Sequence, residues 1–305
     1  MHQEDYRELN LTLATLFAGD VIEPSAWPKG APDPETFGVI LRNSLLAYSG
    51  QHDLLIPQRL AAELSLDALA VEYTISSTNS VMMAQSTPLH NSLLTAECQL
   101  GGRGRRGRDW QSPFARNLAF SYGHSTDKPM EELGGLSLVV GLAVADAVNT
   151  LSSTPCALKW PNDVIVDEAK LSGILVELKP SNSRVDLVIG VGVNVDLEAS
   201  DRSSVDREVT DLRTLGVNGS RTDLLISIVH SLQRFLAEFD RSGFLSFIEA
   251  FNQAHAYQGK TCAIHQGDNI ITGQVEGVNV DGALVLKTEN GIRSFHGGEV
   301  SLRSG

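Results

Sequence analysis

Residues 101–110 read Gly-Gly-Arg-Gly-Arg-Arg-Gly-Arg-Asp-Trp, with four arginines inside the six positions from Arg103 to Arg108. Like charges at that density repel one another, so the segment is expected to be mobile in the free protein until an anion joins them. The glycines leave the backbone open to close approach, and guanidinium forks offer paired contacts to carboxylate or phosphate oxygens. The same composition also describes a solvated loop or a nucleic-acid patch. Against both stands the apolar strand that leads into the loop, together with the lack of any other stretch that is basic.

Two further segments carry cations at the head of apolar runs. Lys159-Trp160-Pro161-Asn162-Asp163 separates two such runs, and Lys170-Leu171-Ser172-Gly173 opens a third. A lysine in that place is either an edge-strand gatekeeper or a cation aimed into a pocket, and both readings stay open for each. Asn162 and Asp163 are turn formers or hard oxygen donors of the kind Mg²⁺ takes. Gly190, Gly192 and Asn194 alternate with Val191, Val193 and Val195, and glycines along one strand face mark the close approach of a ligand or a second backbone. The three cysteines, Cys98, Cys156 and Cys262, are too widely spaced for a CxxC site, and their odd number argues for buried, reduced thiols. None of the eight histidines has metal-ligand spacing.

The elements that must position these residues follow from periodicity. Helices are expected near Leu9–Phe17 and Phe37–Tyr48, separated by Pro24, Pro28, Pro32 and Pro34, through which no ordinary helix can run. A short helix starts at Pro57. Strands are expected at Val71–Ile75 and Ser92–Ala96, with Ser77 capping the helix between them. Leu136–Val148, apolar on nearly every side, reads as a buried helix. A strand meander follows over Ala157–Trp160, Val164–Val166, Leu171–Leu178 and Val185–Val195, its last two strands joined antiparallel by a turn at Pro180–Arg184. Amphipathic helices come next at Thr222–Phe239 and Phe244–Ala256. The last 49 residues hold two hairpin signals, Asp281-Gly282 and Asn290-Gly291, and read as a small separate β-barrel.

Composition bounds the function. The chain has 305 residues, 37 acids against 24 Lys and Arg, and a net charge of −13. Residues 1–65 hold 4 bases and 9 acids, and no larger stretch is basic, which argues against bulk nucleic-acid binding. The longest apolar helix candidate includes Asp146 and is too short to span a bilayer, and residues 1–8 are not a secretory leader, so the expected location is the cytoplasm.

Taken together, Ser77-Thr78-Asn79, Glu97-Cys98-Gln99, the arginine loop through Trp110, Lys159–Asp163, Lys170–Glu177 and Gly190–Asn194 resemble the biotin protein ligase family in order and spacing. Gly297–Arg303 resembles its terminal barrel. The resemblance covers about residues 54–305. It implies an α+β fold in which a central mixed, largely antiparallel sheet is flanked by helices. A C-terminal SH3-like small β-barrel and a degenerate helical N-terminal region, a remnant of a winged helix-turn-helix, would complete the chain. The implied domains are 1–65, 66–256 and 257–305. The implied reaction is ATP-dependent: biotin becomes biotinyl-5′-AMP and is then transferred to one lysine of a biotin carboxyl carrier protein domain.

By motif position, Lys170 would be the chief catalytic residue, assisted by Arg103 and Arg105 over carboxylate and phosphate. Ser77, Thr78, Asn79, Gln99, Arg103, Gly104, Arg105, Lys170 and Gly173 would hold biotin. Arg105, Arg106, Trp110, Asn162, Lys170 and Asn194 would hold ATP or the adenylate, and Asn162 with Asp163 would place Mg²⁺. Val209–Leu212 would cover the adenine, with Val209 standing where a relative has an aromatic lid residue. A homodimer is an expectation of the same origin. The four-proline interval occupies the place of the repressor helices found in some members, so neither DNA nor membrane is an expected partner. Two alternatives stand beside the plain ligase: a bifunctional ligase and biotin-responsive repressor, and a lipoate-type ligase.

Overall fold

A computed structural model describes residues 3–50, 52–86, 89–180, 184–205, 207–266, 269–296 and 301–304. The chain opens with α1 (Gln3–Phe17), whose Leu9, Leu13 and Leu16 recur at helical spacing and are buried. Next come the short strand β1 (Val21–Ile22), two prolyl 3₁₀ turns at Pro24–Ala26 and Pro34–Phe37, and the hairpin β2 (Val39–Arg42) and β3 (Leu45–Tyr48). These strands form a three-stranded sheet in the order β1-β3-β2. The helix expected over Phe37–Tyr48 is therefore a hairpin. Asn43 and Ser44, with φ of 50° and 66°, form the two-residue turn that reverses the chain.

The centre of the molecule is one seven-stranded sheet. Its elements are α2 (Pro57–Glu63), β4 (Ala68–Ile75), α3 (Thr78–Ala84), β5 (Ser92–Gln99), β6 (Asn117–Thr126), α4 (Leu136–Asn149), β7 (Ala157–Lys159), β8 (Asp163–Val166), β9 (Ala169–Pro180) and β10 (Val185–Asn194). The strand order is β4-β5-β6-β10-β9-β8-β7, with β4 and β5 parallel and every other pair antiparallel. The fold is α+β, with a mixed and largely antiparallel sheet. Pro180 pairs with Val185 across the expected turn, whose residues 181–183 lie outside the described residues. Helix α4 buries eleven of its fourteen residues between the sheet and α6 (Arg221–Ser242), which follows the short α5 (Ala199–Ser203) in the chain. The Ser220 hydroxyl and the Asp223 carboxylate form a reciprocal capping box that starts α6.

A 3₁₀ turn at Phe244–Phe247 and α7 (Ile248–Ala254) lead to a five-stranded antiparallel sheet. It comprises β11 (Thr261–Gln266), β12 (Asn269–Val278), β13 (Leu284–Thr288), β14 (Gly291–Phe295) and β15 (Ser301–Ser304), in the order β14-β13-β12-β11-β15. Asp281-Gly282 falls between β12 and β13, whereas the second turn is Glu289-Asn290, with Gly291 opening β14 opposite Thr288. Of the expected terminal motif, Gly297–Val300 lie outside the described residues, while Ser301–Ser304 pair with β11. This sheet is docked on the central one: buried Trp160 donates its indole N–H to the Gly282 carbonyl at 3.0 Å. Among the described residues, no helix is long and apolar enough to cross a membrane.

One buried ion pair ties the strand ahead of the arginine loop to the rest of the chain. Glu97 and Arg221 are both 1% exposed at their side chains and bonded to each other. Glu97 also accepts from the Leu55 amide at 2.6 Å, and Arg221 donates to the carbonyls of Asn117 (2.7 Å) and Asp53 (2.8 Å). Removing one partner leaves an uncompensated charge out of water. Glu97→Ala is expected to lower stability by about 3–5 kcal/mol, read as a fall in the urea unfolding midpoint.

Candidate active site

The loops and strands that carry the predicted residues surround a single cavity of about 850 Å³. Ser77, Thr78, Asn79, Gln99, Arg103, Gly104, Arg105, Trp110, Asn162, Asp163, Lys170, Gly173 and Asn194 all line it. Of the predicted set, only Arg106 is not on the wall. It sits in the 3₁₀ turn at the loop's tip with φ of 60°.

One end of the cavity is polar and neutral. The Ser77 hydroxyl caps α3, and the Gln99 side-chain oxygen accepts from the Thr78 amide (2.8 Å) and hydroxyl (3.1 Å). Asn79 donates to the Leu175 carbonyl at 3.1 Å and to the Glu177 carboxylate at 2.9 Å, and accepts from the Ser121 hydroxyl at 2.5 Å. A Cβ on Gly190 would lie 2.2 Å from the Asn79 side-chain oxygen, so the missing side chain is what lets Asn79 lie on the sheet. Gly192 plays the same part for Trp110, whose ring would meet a Cβ at 2.3 Å. The sequence reading expected a ligand or a second backbone on this strand face; two side chains, Asn79 and Trp110, lie there instead. The Trp110 indole nitrogen is buried against Gly192 and has no hydrogen-bond partner among the described residues.

The other end is cationic. Lys170 Nζ lies 2.7 Å from an Asp163 oxygen and 5.5 Å from the centroid of the Trp110 ring. Arg105 donates to the Asn162 side-chain oxygen at 3.2 Å, and Arg103 pairs with Glu177 at 2.7 Å. The arginine loop itself is a small hairpin: Arg103 bridges Asp109, the Gly104 amide donates to the Arg108 carbonyl at 2.7 Å, and the Trp110 amide donates to the Gly102 carbonyl at 2.9 Å. Burial lowers the pKa of Lys170 while the Asp163 carboxylate pulls it back up. Burial also lowers that of Arg105, aided by the neighbouring Arg106 charge. Both cations are poorly hydrated, which strengthens their pull on an arriving anion.

Residues 71–194 match the Biotin/lipoate A/B protein ligase family, and residues 257–303 match the Biotin protein ligase C terminal domain. The bifunctional ligase/repressor BirA of Escherichia coli is 32% identical over 253 residues, spanning 82% of this chain and 79% of that protein. The chain belongs to the biotin protein ligase family. A biotin acetyl-CoA-carboxylase ligase of Paracoccus denitrificans is 32% identical over 233 residues, 73% of this chain and 96% of that one. Among solved structures, a biotin protein ligase from Aquifex aeolicus in complex with biotin and ATP superposes with a TM-score of 0.69 at 30% identity, covering 79% of this chain and all of that one.

Within this ligase, the two lysines left open by sequence part company. Lys170 enters the cavity, whereas Lys159 lies over the Tyr257 ring at 5.5 Å, at the junction with the C-terminal sheet. Asn194 spends its amide on the Lys170 (3.2 Å) and Thr210 (3.0 Å) carbonyls, so in this state it holds backbone around the lysine. Three charged residues escaped the sequence reading. Glu177 bonds both Asn79 and Arg103, Arg207 stands 3.8 Å from Asp163, and buried Asp211 anchors Arg202 beside Val209. No local pattern marks these roles: Glu177 closes the motif Lys170–Glu177 and Asp211 lies inside the segment Val209–Leu212, yet neither position shows its partner in the sequence. The free thiols are all buried, and burial pushes Cys98 and Cys156 up to about 12, so neither is a nucleophile at neutral pH.

If Lys170 meets the reacting anion, it must be charged to do so, and activity is expected to fall as pH rises through its pKa, which burial lowers from that of free lysine. Asp163→Asn removes the interaction that raises this pKa. The alkaline limb of the rate of pyrophosphate release is therefore expected to move to lower pH in that variant, and an unmoved limb would mean that Asp163 does not set the charge on Lys170.

Proposed function

We propose that this biotin protein ligase activates biotin with ATP as biotinyl-5′-AMP and transfers it to a lysine of a biotin carboxyl carrier protein domain, working in the cytoplasm. One observation carries the reading: a single cavity joins a neutral hydrogen-bonding end to a buried cationic end, the shape needed for a ureido head group and a carboxylate meeting a phosphate. In the first step a biotin carboxylate oxygen attacks the α-phosphorus, the α–β bridging bond breaks, and pyrophosphate leaves with the electron pair. In the second, a neutral lysine amine of the carrier attacks the acyl carbon, AMP leaves, and the amine gives up a proton as the amide forms.

Each step fits residues on the cavity wall. Thr78, Asn79 and Gln99 hold the head group; Gly173 clears space beside Lys170, since a Cβ there would lie 2.9 Å from Nζ. Lys170 and Arg105 reduce the repulsion between carboxylate and phosphate and stabilise the charge that develops on the phosphate. The loop hairpin screens the mixed anhydride from water. Trp110, on the cavity wall beside Lys170, offers a ring face on the nucleotide side.

Asn162 and Asp163 do not fit a resident Mg²⁺ by themselves. Lys170 and Arg207 flank the carboxylate, Arg105 holds the amide oxygen, and among the described residues no three carboxylate, imidazole or thiolate groups converge. A magnesium ion would come with the triphosphate, and no step here depends on it. The match of residues 257–303 supports biotin over lipoate, and 9 acids against 4 bases in residues 1–65 support an enzyme over a repressor.

The direct test is mass spectrometry of an intact carrier domain after incubation with the chain, biotin and ATP. A gain of one biotinyl group, dependent on ATP, is expected; no gain with a competent carrier would reject the reading. Lys170→Ala is expected to cut adenylate formation by about 10²–10³-fold or more with an unchanged circular dichroism spectrum.

A further inference from the structure

The arginine loop is short of apolar surface of its own, so its place over the cavity depends on where its two stems are anchored. Those anchors lie in the N-terminal module. Phe114, four residues beyond Trp110, is buried in the cluster that includes Leu9, Leu13 and Phe37, and Leu100, at the loop's entry, packs against the same cluster. The Phe114 ring meets Phe37 edge-on at 5.3 Å and 87°, His52 at 5.3 Å, and Phe17 at 5.8 Å. Thr36, next to Phe37, reaches the wall of the cavity. The polar contacts point the same way. Asn10 of α1 accepts from the Thr74 amide at 2.8 Å and donates to its carbonyl at 3.0 Å, fastening the module to the exposed edge of β4.

We propose that the N-terminal module positions the arginine loop for ligand capture, with Phe17 and Phe37 acting through Phe114 as positioning residues. The inference rests on the loop's role in the proposed ligase reaction and adds a task for residues that the reaction itself leaves unused. Phe114 and Phe37 meet edge-on, an arrangement that adds attraction beyond the area the rings bury and so helps to fix the stem in register. A stem misplaced by an ångström carries Arg103 and Arg105 away from the place where the anion must be met.

The loop's arginines make it a substrate for trypsin, which gives a direct reading of its order. Phe37→Ala is expected to speed cleavage after Arg103–Arg108 about tenfold in the full-length, ligand-free chain, and to raise KM for biotin about tenfold. Phe37→Leu, which keeps apolar bulk, should restore much of both. Phe114→Ala should reproduce both changes from the loop's side, and the double variant should add little to either single one. If Phe37→Ala lowers the thermal midpoint or exposes Arg7 and Arg42 to trypsin while loop cleavage and biotin KM stay at wild-type values, the module is only a stabilising appendage and the proposal is overturned. Loop cleavage is read without biotin or ATP, so it stands apart from whether the chain transfers biotin.

Discussion

The site is organised around one lysine ammonium that the fold removes from water. Lys170 is held 2.7 Å from Asp163, and the carboxylate offsets part of the desolvation penalty that burial imposes on the cation. The β8–β9 hairpin makes this possible: its register pairs Asp163 with Gly173 and shifts between Val164 and Ile165, which brings Lys170 level with the carboxylate. The lysine's backbone is fixed on both sides, its amide donating to Glu208 at 3.0 Å and its carbonyl accepting from Thr210 at 3.0 Å and from Asn194. A cation so held needs little reorganisation when an anion arrives, which is the form of electrostatic stabilisation that contributes most to catalysis.

Space around that cation comes from side chains that are absent. Gly190 and Gly192 give Asn79 and Trp110 their places on β10, and Gly173 opens the wall beside Lys170. The strands under these glycines are otherwise densely apolar, with nine of the ten residues of β10 buried, so the cavity has a rigid floor. Across from that floor stands the arginine hairpin, a polar structure that borrows its anchoring from apolar residues on either side. The buried pair of Glu97 and Arg221 serves a related end, since it joins the strand before the loop to the first turn of α6 and to the linker at Asp53–Leu55.

Much of the architecture was legible because its signals are local. The apolar run of α4, the meander from β7 to β10, the Ser77 cap and both C-terminal hairpins follow from periodicity and turn chemistry between near neighbours. The segment 37–48 was misread because its apolar residues fall at spacings that suit a helix; the deciding feature is the left-handed pair Asn43 and Ser44, which carries no glycine to announce a turn. Strand β6 went unforeseen for a different reason. Its buried Ser121 and His124 look like surface residues in sequence, and their partners, Asn79 and Asp240, lie 42 and 116 residues away.

The sequence by itself determined the chemistry: four clustered guanidinium groups, a lysine opening an apolar strand, and glycines on one strand face, in an order that identifies a biotin protein ligase. It could not tell Lys159 from Lys170, since both head apolar strands; only the packed sheet sends one to Tyr257 and the other into the cavity. Nor could it reveal that Glu177 bonds Asn79 and Arg103, or that Phe114 belongs to the N-terminal core. Residue type and short spacing encode local geometry and available charge. Which charge is buried, and against what, depends on contacts between residues far apart in the chain, and those exist only once the sheet has closed around them.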